Sequence, residues 1–301
     1  MRRAIPVQLL YVTVFALAVY GIERFCHSQT EGFAVGRICS SMPLPPDLEM
    51  APTEPGTLSL VTTLLNQPFH YFAKGAQVYA FASEDGRYVI KCFRFDHLAP
   101  PPWTRWLRFP FSGERIRLEK MVKRLTGLYK DFNSYRIAFE AMPDETGLLY
   151  VHLNEQELRG VTLTLCDKLG IAHRLDASTM HFVVQKRADL VYPTLEKLLQ
   201  KGDLHTAQAA LSSLVRLLGT RYAKGIFDKD PNLRTNFGFL GEKAVQIDPG
   251  RFCFEVRPIS AQEKREGLIR ITEGLHNFMQ ERSPSLDDHL SQEIENLCAE
   301  D

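Results

Sequence analysis

Residues 225–250 decide the fold: Gly225-Ile-Phe-Asp228-Lys-Asp230-Pro-Asn-Leu-Arg-Thr-Asn236-Phe-Gly-Phe-Leu-Gly-Glu-Lys-Ala-Val-Gln-Ile-Asp248-Pro-Gly250. Two acids, Asp228 and Asp230, lie on a loop after a long helical pattern, and Asn236 opens a short apolar run. A Gly241-Glu242-Lys243 turn joins that run to a second, Ala244-Val245-Gln246-Ile247, which delivers Asp248 into Pro249-Gly250. Short apolar runs joined by a glycine-bearing turn predict strand, turn, strand. Asn236 and Asp248 then sit near the two open ends of one hairpin and can converge on one ion. A hard divalent cation such as Mg²⁺ takes oxygen ligands of this kind, usually one or two from protein and the rest from phosphate and water. An ordinary Asp-Pro-Gly turn explains the same residues without an ion.

Far upstream, Val78, Ala80 and Ala82 alternate as a half-buried strand, Asp85-Gly86 signals a hairpin turn, and residues 88–95 return. Lys91 falls mid-strand among Val89, Ile90, Cys92 and Phe93. A lysine buried there needs an anionic partner, which a phosphate supplies. A solvent-facing lysine on an amphipathic strand is the plain alternative. Lys91 gains meaning only from its order and spacing relative to Asn236 and Asp248.

These residues in this order resemble the protein kinase-like superfamily. There a catalytic Asp precedes an Asn by five residues, and the Asp of an Asp-Phe-Gly triplet follows that Asn by about a dozen. Here Asn236 to Asp248 is twelve residues, Asp230 to Asn236 six and Asp228 to Asn236 eight, with no His-Arg before either acid. Val89-Ile90-Lys91 is similar to the family's third-strand Val-Ala-Ile-Lys, and Gly75 stands in its glycine hairpin, although Gly-x-Gly-x-x-Gly is absent. The resemblance implies an α+β, two-lobed protein kinase-like fold: an antiparallel β small lobe, then a reduced helical large lobe. No Ala-Pro-Glu triplet or long activation segment follows Gly250, so the end of the chain looks more like kinases of small molecules, sugars or lipopolysaccharide. The resemblance further implies a nucleotide partner, with ATP and Mg²⁺ as cofactors. Lys91 would hold the α- and β-phosphates, Asn236 and Asp248 the metal. Asp230, or Asp228 as second choice, would take the acceptor hydroxyl's proton. The interlobe hinge would be Val183-Val184-Gln185-Lys186, with Gln185 in the cofactor-binding set. The family's helix glutamate that holds the strand lysine would be Glu119 or Glu140.

The missing glycines, the missing His-Arg and the shifted acid also fit a kinase-like module that has lost its chemistry and serves for binding or scaffolding. An unrelated α+β envelope protein would place Lys91 and Asp248 far apart.

The remainder frames this core. Thirty-six basic residues balance 36 acidic ones, which removes a global nucleic-acid signature. Cys92, Cys166 and Cys253 lie in apolar runs as small buried residues, while Cys26 and Cys39 could pair in an oxidising compartment. Residues 1–24 read as a signal anchor or signal peptide. Arg2-Arg3 is a positive flank, 4–22 is apolar enough to suggest a bilayer-crossing helix, and Ala16-Leu17-Ala18 fits a cleavage site. The domain is thus expected to be membrane-anchored or exported. Residues 25–57 read as a Pro-rich linker with unpaired backbone. Residues 58–185 form the β-rich small lobe with one long helix, and residues 186–301 the helical large lobe. Trp103 and Trp106, in a locally basic insertion, suit a membrane interface or packing over the small lobe. Apolar periodicity predicts helices over 113–142, 192–200, 204–224, 261–282 and 285–297, and a five- or six-stranded antiparallel sheet.

Overall fold

Two helices, α1 (Val7–Gln29) and α2 (Pro55–Leu65), precede the sheet in the computed structural model, which describes residues 7–40, 44–48, 50–95, 111–153, 157–255, 257 and 259–299. Strands β1 (Phe69–Lys74), β2 (Val78–Ser83) and β3 (Tyr88–Phe93) run antiparallel in succession. The β2–β3 turn closes on Gly86 at φ +70°, which a side chain would strain. Asp85 reinforces it by accepting from Ser83 Oγ at 2.6 Å and Arg87 N at 3.0 Å.

Helices α3 (Phe111–Ala141) and α4 (Pro143–Thr146) follow, then β4 (Leu148–His152), β5 (Thr162–Cys166), β6 (Ala172–Asp176) and β7 (Phe182–Lys186). The seven strands are ordered β4-β7-β3-β2-β1-β5-β6. The architecture is mixed α+β and consistent with two lobes, but the sheet differs from the expected one. It has seven strands rather than five or six, and β1 pairs with β5 in parallel through Phe69↔Leu165. The β5–β6 hairpin has added itself to the open edge of β1, a long-range choice that strand periodicity does not encode.

Alternation sorts the side chains of β3. Ile90 and Cys92 enter one apolar cluster with Phe69, Tyr79, Phe81 and Phe182. Phe93 enters the other, where α3 lays Phe132 against it edge-on at 4.7 Å and Tyr135 at 5.4 Å. The period of two puts Lys91 on the Phe93 side, toward α3 and the second lobe.

That lobe begins with β8 (Asp189–Leu190), α5 (Val191–Lys201) and α6 (Leu204–Ala223), the last capped by Asp203 accepting from Thr206 N. After β9 (Ile226–Asp228), the hairpin of β10 (Phe237–Leu240) and β11 (Lys243–Gln246) and strand β12 (Phe252–Phe254), α7 (Ala261–Arg282) and α8 (Pro284–Ala299) close the chain. A reciprocal Ser260–Glu263 capping box starts α7. β8 also pairs with β10, so the segment leaving the sheet is laced to the hairpin. A Cβ on Gly238 would lie 2.5 Å from Asp189 O, so only glycine admits this approach.

Two expectations need correction here. Among the described residues, no helix is long and apolar enough to cross a membrane. Of the expected membrane segment over 4–22, the described part begins at Val7, and its helix continues through Glu23, Arg24 and His27 to Gln29. The stretch expected as an unpaired linker is largely packed. Ile38 is 0% exposed and Leu48 3% exposed. Tyr79 Oη donates to Gly32 O at 2.8 Å, Ser40 N to Thr179 O at 2.9 Å, and Thr53 N to Glu157 Oε1 at 2.7 Å. Pro46 opens a short 3-10 turn and Pro55 the first turn of α2, and the sparse apolar residues of the stretch find the sheet and α3. The basic insertion with Trp103 and Trp106 lies outside the described residues.

Candidate functional site

The β10–β11 hairpin forms as its sequence suggests, with Phe237↔Gln246 to Leu240↔Lys243 in antiparallel register. Its open end is drawn together because Asn236 O accepts from Ile247 N at 2.8 Å and from Asp248 N at 3.3 Å. Asn236 and Asp248 are therefore neighbours in space. The Asn236 amide is oriented by its partners: Nδ2 donates to Asp230 O at 2.8 Å, while Oδ1 accepts from Thr235 Oγ1 at 2.8 Å. One lone pair of that oxygen is left for the cleft.

The two acids upstream have different surroundings. Asp228 is 4% exposed and enclosed: Arg221 Nη1 lies 3.4 Å from Oδ2, Gln246 Nε2 donates to Oδ2 at 2.5 Å, and Asp230 N donates to Oδ1 at 2.9 Å. Arg221 Nη1 also donates to Gln246 Oε1 at 3.0 Å, closing a ring of three side chains. Burial pushes the Asp228 carboxyl up despite Arg221, and pulls the Arg221 guanidinium down despite Asp228. Desolvation thus outweighs the attraction within this pair. Two residues on, Asp230 keeps its side chain exposed and lends only its backbone carbonyl to Asn232 N and Asn236 Nδ2. Of the two acids, only Asp230 has its carboxylate exposed in the cleft.

A cavity of about 140 Å³ lies between the sheet and the hairpin. Gly75, Asp131, Asp228, Asp230, Asn236 and Asp248 all line it. The β1–β2 turn that carries Gly75 is pinned from behind, because Arg94 Nη1 donates to Gly75 O at 3.1 Å. Lys91 does not line the cavity. Its ammonium donates to Ile247 O, one residue before Asp248, and burial lowers its pKa against the opposing pull of Asp248. Glu119 and Glu140 are both exposed, so neither is placed as the expected partner of Lys91. Gln185 is also elsewhere. It lies inside the sheet between β3 and β4, and its side-chain amide donates to Thr146 O at 2.6 Å.

Helix α3 supplies what the sequence reading passed over. Ser134 Oγ donates to Pro249 O and accepts from Phe252 N at 2.6 Å, so the helix grips the Asp-Pro-Gly segment. Tyr135 Oη donates to Asp248 Oδ1 at 3.3 Å, and Gly250 N donates to the same oxygen at 3.2 Å. Asp131, one turn earlier and 6% exposed, faces the cavity with Oδ2 unpartnered. Burial pushes its carboxyl up to about 7, with Arg251 opposing and Asp248 reinforcing the rise. A signal for it existed: Leu128, Asp131 and Tyr135 are in helical phase, so the acid falls on the apolar stripe.

The donor set suits a hard cation. Asn236 Oδ1 and Asp248 Oδ2 are oxygen ligands with open lone pairs, and the orphaned Asp131 Oδ2 faces the same space. Among the described residues no group of three or more His, Cys, Asp or Glu is arranged to hold a metal. A site of two protein oxygens completed by phosphate and water is the form Mg²⁺ commonly takes.

No family model matches the chain, and no curated protein matches it. Among solved structures, the bifunctional kinase-methyltransferase WbdD is similar at 15% identity and TM-score 0.37, over 74% of this chain and 43% of that one. A 2.2 Å crystal structure of WbdD gives 16% identity and TM-score 0.38, over 78% and 47%. Rv3197 in complex with erythromycin, from Mycobacterium tuberculosis, gives 16% identity and TM-score 0.31, over 77% and 60%. This chain therefore spans between about two fifths and three fifths of the structures it resembles.

Proposed function

We propose that the chain has a kinase-like fold and transfers a phosphoryl group from Mg²⁺–ATP to the hydroxyl of a small acceptor. One observation carries this reading: Gly75, Asp230, Asn236 and Asp248, remote in sequence, line a single cavity, and Lys91 reaches the backbone beside Asp248. Asn236 and Asp248 would hold the metal, which when bound neutralises the charge of the β- and γ-phosphates. Gly75 and its turn would cover the phosphates, and Lys91, once released from Ile247 O, would meet them. Asp230 orients the acceptor hydroxyl and receives its proton as that oxygen bonds to the γ-phosphorus. The bond from phosphorus to the β–γ bridging oxygen breaks, and its electron pair leaves with ADP. The machinery supplies position and charge rather than covalent chemistry.

A second reading has its own support. Because the Lys91 ammonium is engaged by Ile247 O and no helix acid among the described residues holds it, the chain also suits a silent nucleotide-binding or scaffold module. Thermal-shift titration with ATP and Mg²⁺ separates the cases. The enzyme reading expects a rise in Tm that Asp248→Ala removes, together with ADP formation that Asp230→Asn lowers at least a hundredfold. Binding without ADP formation leaves the module. No rise with any nucleotide ends the enzyme reading and leaves a scaffold module.

A further inference from the structure

A larger groove of about 550 Å³ opens beside the cleft and shares Gln77, Asp131, Gly250 and Arg251 with the smaller cavity. Its volume lies in the range of small-molecule sites. Three cations from three elements converge on it: Lys130 on α3, Lys229 between the two acids of the loop, and Arg251 after Asp-Pro-Gly. Lys229 N donates to Arg251 O at 3.4 Å, so these two are held side by side. Neither lysine has a carboxylate partner among the described residues, and all three side chains are exposed at the groove. Tyr129 adds ring surface, and the packed arm contributes a wall at Pro45 and Leu48. Asp47 and Asp131 are the opposing acids in the lining. Asp230 itself lines the smaller cavity, which joins the groove along Gln77, Asp131, Gly250 and Arg251, so a molecule in the groove can reach toward the proposed base through that shared wall.

We propose that this groove seats the phosphate acceptor, and that the acceptor is a small hydroxylated anion carrying a phosphate or carboxylate. The inference rests on the phosphoryl-transfer reading and specifies its substrate. Lys130, Lys229 and Arg251 bind the anionic group, Tyr129 covers the carbon frame, and the free hydroxyl points toward Asp230. A neutral sugar would leave the three cations opposed only by the two acids of the lining, Asp47 and Asp131. A peptide segment would exceed the space.

Ligand-observed NMR titrations of the full chain, saturated with Mg²⁺ and a non-hydrolysable ATP analogue, test this with matched pairs. The pairs are glucose with glucose 6-phosphate, glycerol with glycerol 3-phosphate, and galactose with galacturonate. The expected result is that at least one anion binds tenfold or more tightly than its neutral partner, about 1.4 kcal/mol. That advantage shrinks as salt rises from 50 to 500 mM. It falls at least tenfold in the double variant Lys130→Gln, Lys229→Gln, whose unfolding midpoint confirms that it folds. Equal binding within every pair, no binding by any anion at 10 mM, or an undiminished advantage in the double variant overturns the proposal. The analogue is titrated first. If it fails to bind while the anions do, the kinase reading falls and the groove survives; if it binds and the anions do not, only the groove falls.

Discussion

The two sides of the cleft are built on opposite plans. On the hairpin side, polar groups are largely matched: Arg221 Nη1, Asp228 and Gln246 close on one another, leaving only Arg221 Nε of that trio without a partner among the described residues, and Asn236 is bonded through both side-chain atoms. On the α3 side, Asp131 keeps a buried oxygen unpartnered, and the Lys91 ammonium rests on a backbone carbonyl. A matched network is rigid and costly to break, whereas unmatched buried groups leave free energy to be gained when a ligand arrives. The hairpin side is thus preorganised, and the helix side is where binding has most to change.

The largest expected effect probes the matched side. Arg221→Ala strands a buried carboxylate and should lower stability by about 3–5 kcal/mol in urea unfolding. Replacing Arg221, Asp228 and Gln246 together with apolar residues of similar volume should cost far less, because desolvation already outweighs attraction. A triple variant as unstable as the single one would break the contrast.

Leu48→Ala tests whether the arm belongs to the core and should cost roughly 2–5 kcal/mol. A loss below 0.5 kcal/mol would return that stretch to linker status.

The unmatched side has a pH signature. The folded Asp131 carboxyl is raised from 3.8 to about 7, so the native state holds a proton that the unfolded chain has lost between those values. This group therefore makes stability fall as pH rises from about 4 to about 7. Asp131→Asn should remove that slope, leaving stability near pH 4 almost unchanged and raising it by roughly 2–4 kcal/mol at pH 8. Parallel pH profiles for the two proteins would show that the helix side is matched after all.

Tyr135→Phe is the gentlest probe. It removes one hydrogen bond to Asp248 and should cost about 0.5–1.5 kcal/mol, with metal affinity unchanged or slightly raised as Asp248 Oδ1 is freed.

What could be read in advance follows the range of the interactions. The hairpin from Asn236 to Asp248 was legible because apolar runs and a turn are local signals, and the helix over Ala261–Arg282 because its cap and period are local too. Placing Gly75, Asp230, Asn236 and Asp248 around one cavity needed only their order along the chain. The parallel addition of β5 to β1 and the docking of Ile38 and Leu48 were not legible, since they depend on surfaces that exist only after folding. The hinge expectation for Gln185 concerned its backbone; that its side chain bonds Thr146 O was likewise not legible. Asp131 lay between the two cases, with its helical phase in plain view and its consequence visible only once Asp248 stood opposite.

The lacing of β8 to β10 has a mechanical consequence. Asp189 follows directly from the sheet, and Gly238 lies two residues beyond Asn236, so the joint between the halves and one arm of the proposed ion-holding pair are a single piece. Any swing of the sheet away from the helices must either tug Asn236 off its mark or tear that short ladder. Opening the mouth of the protein and displacing Asn236 are the same movement.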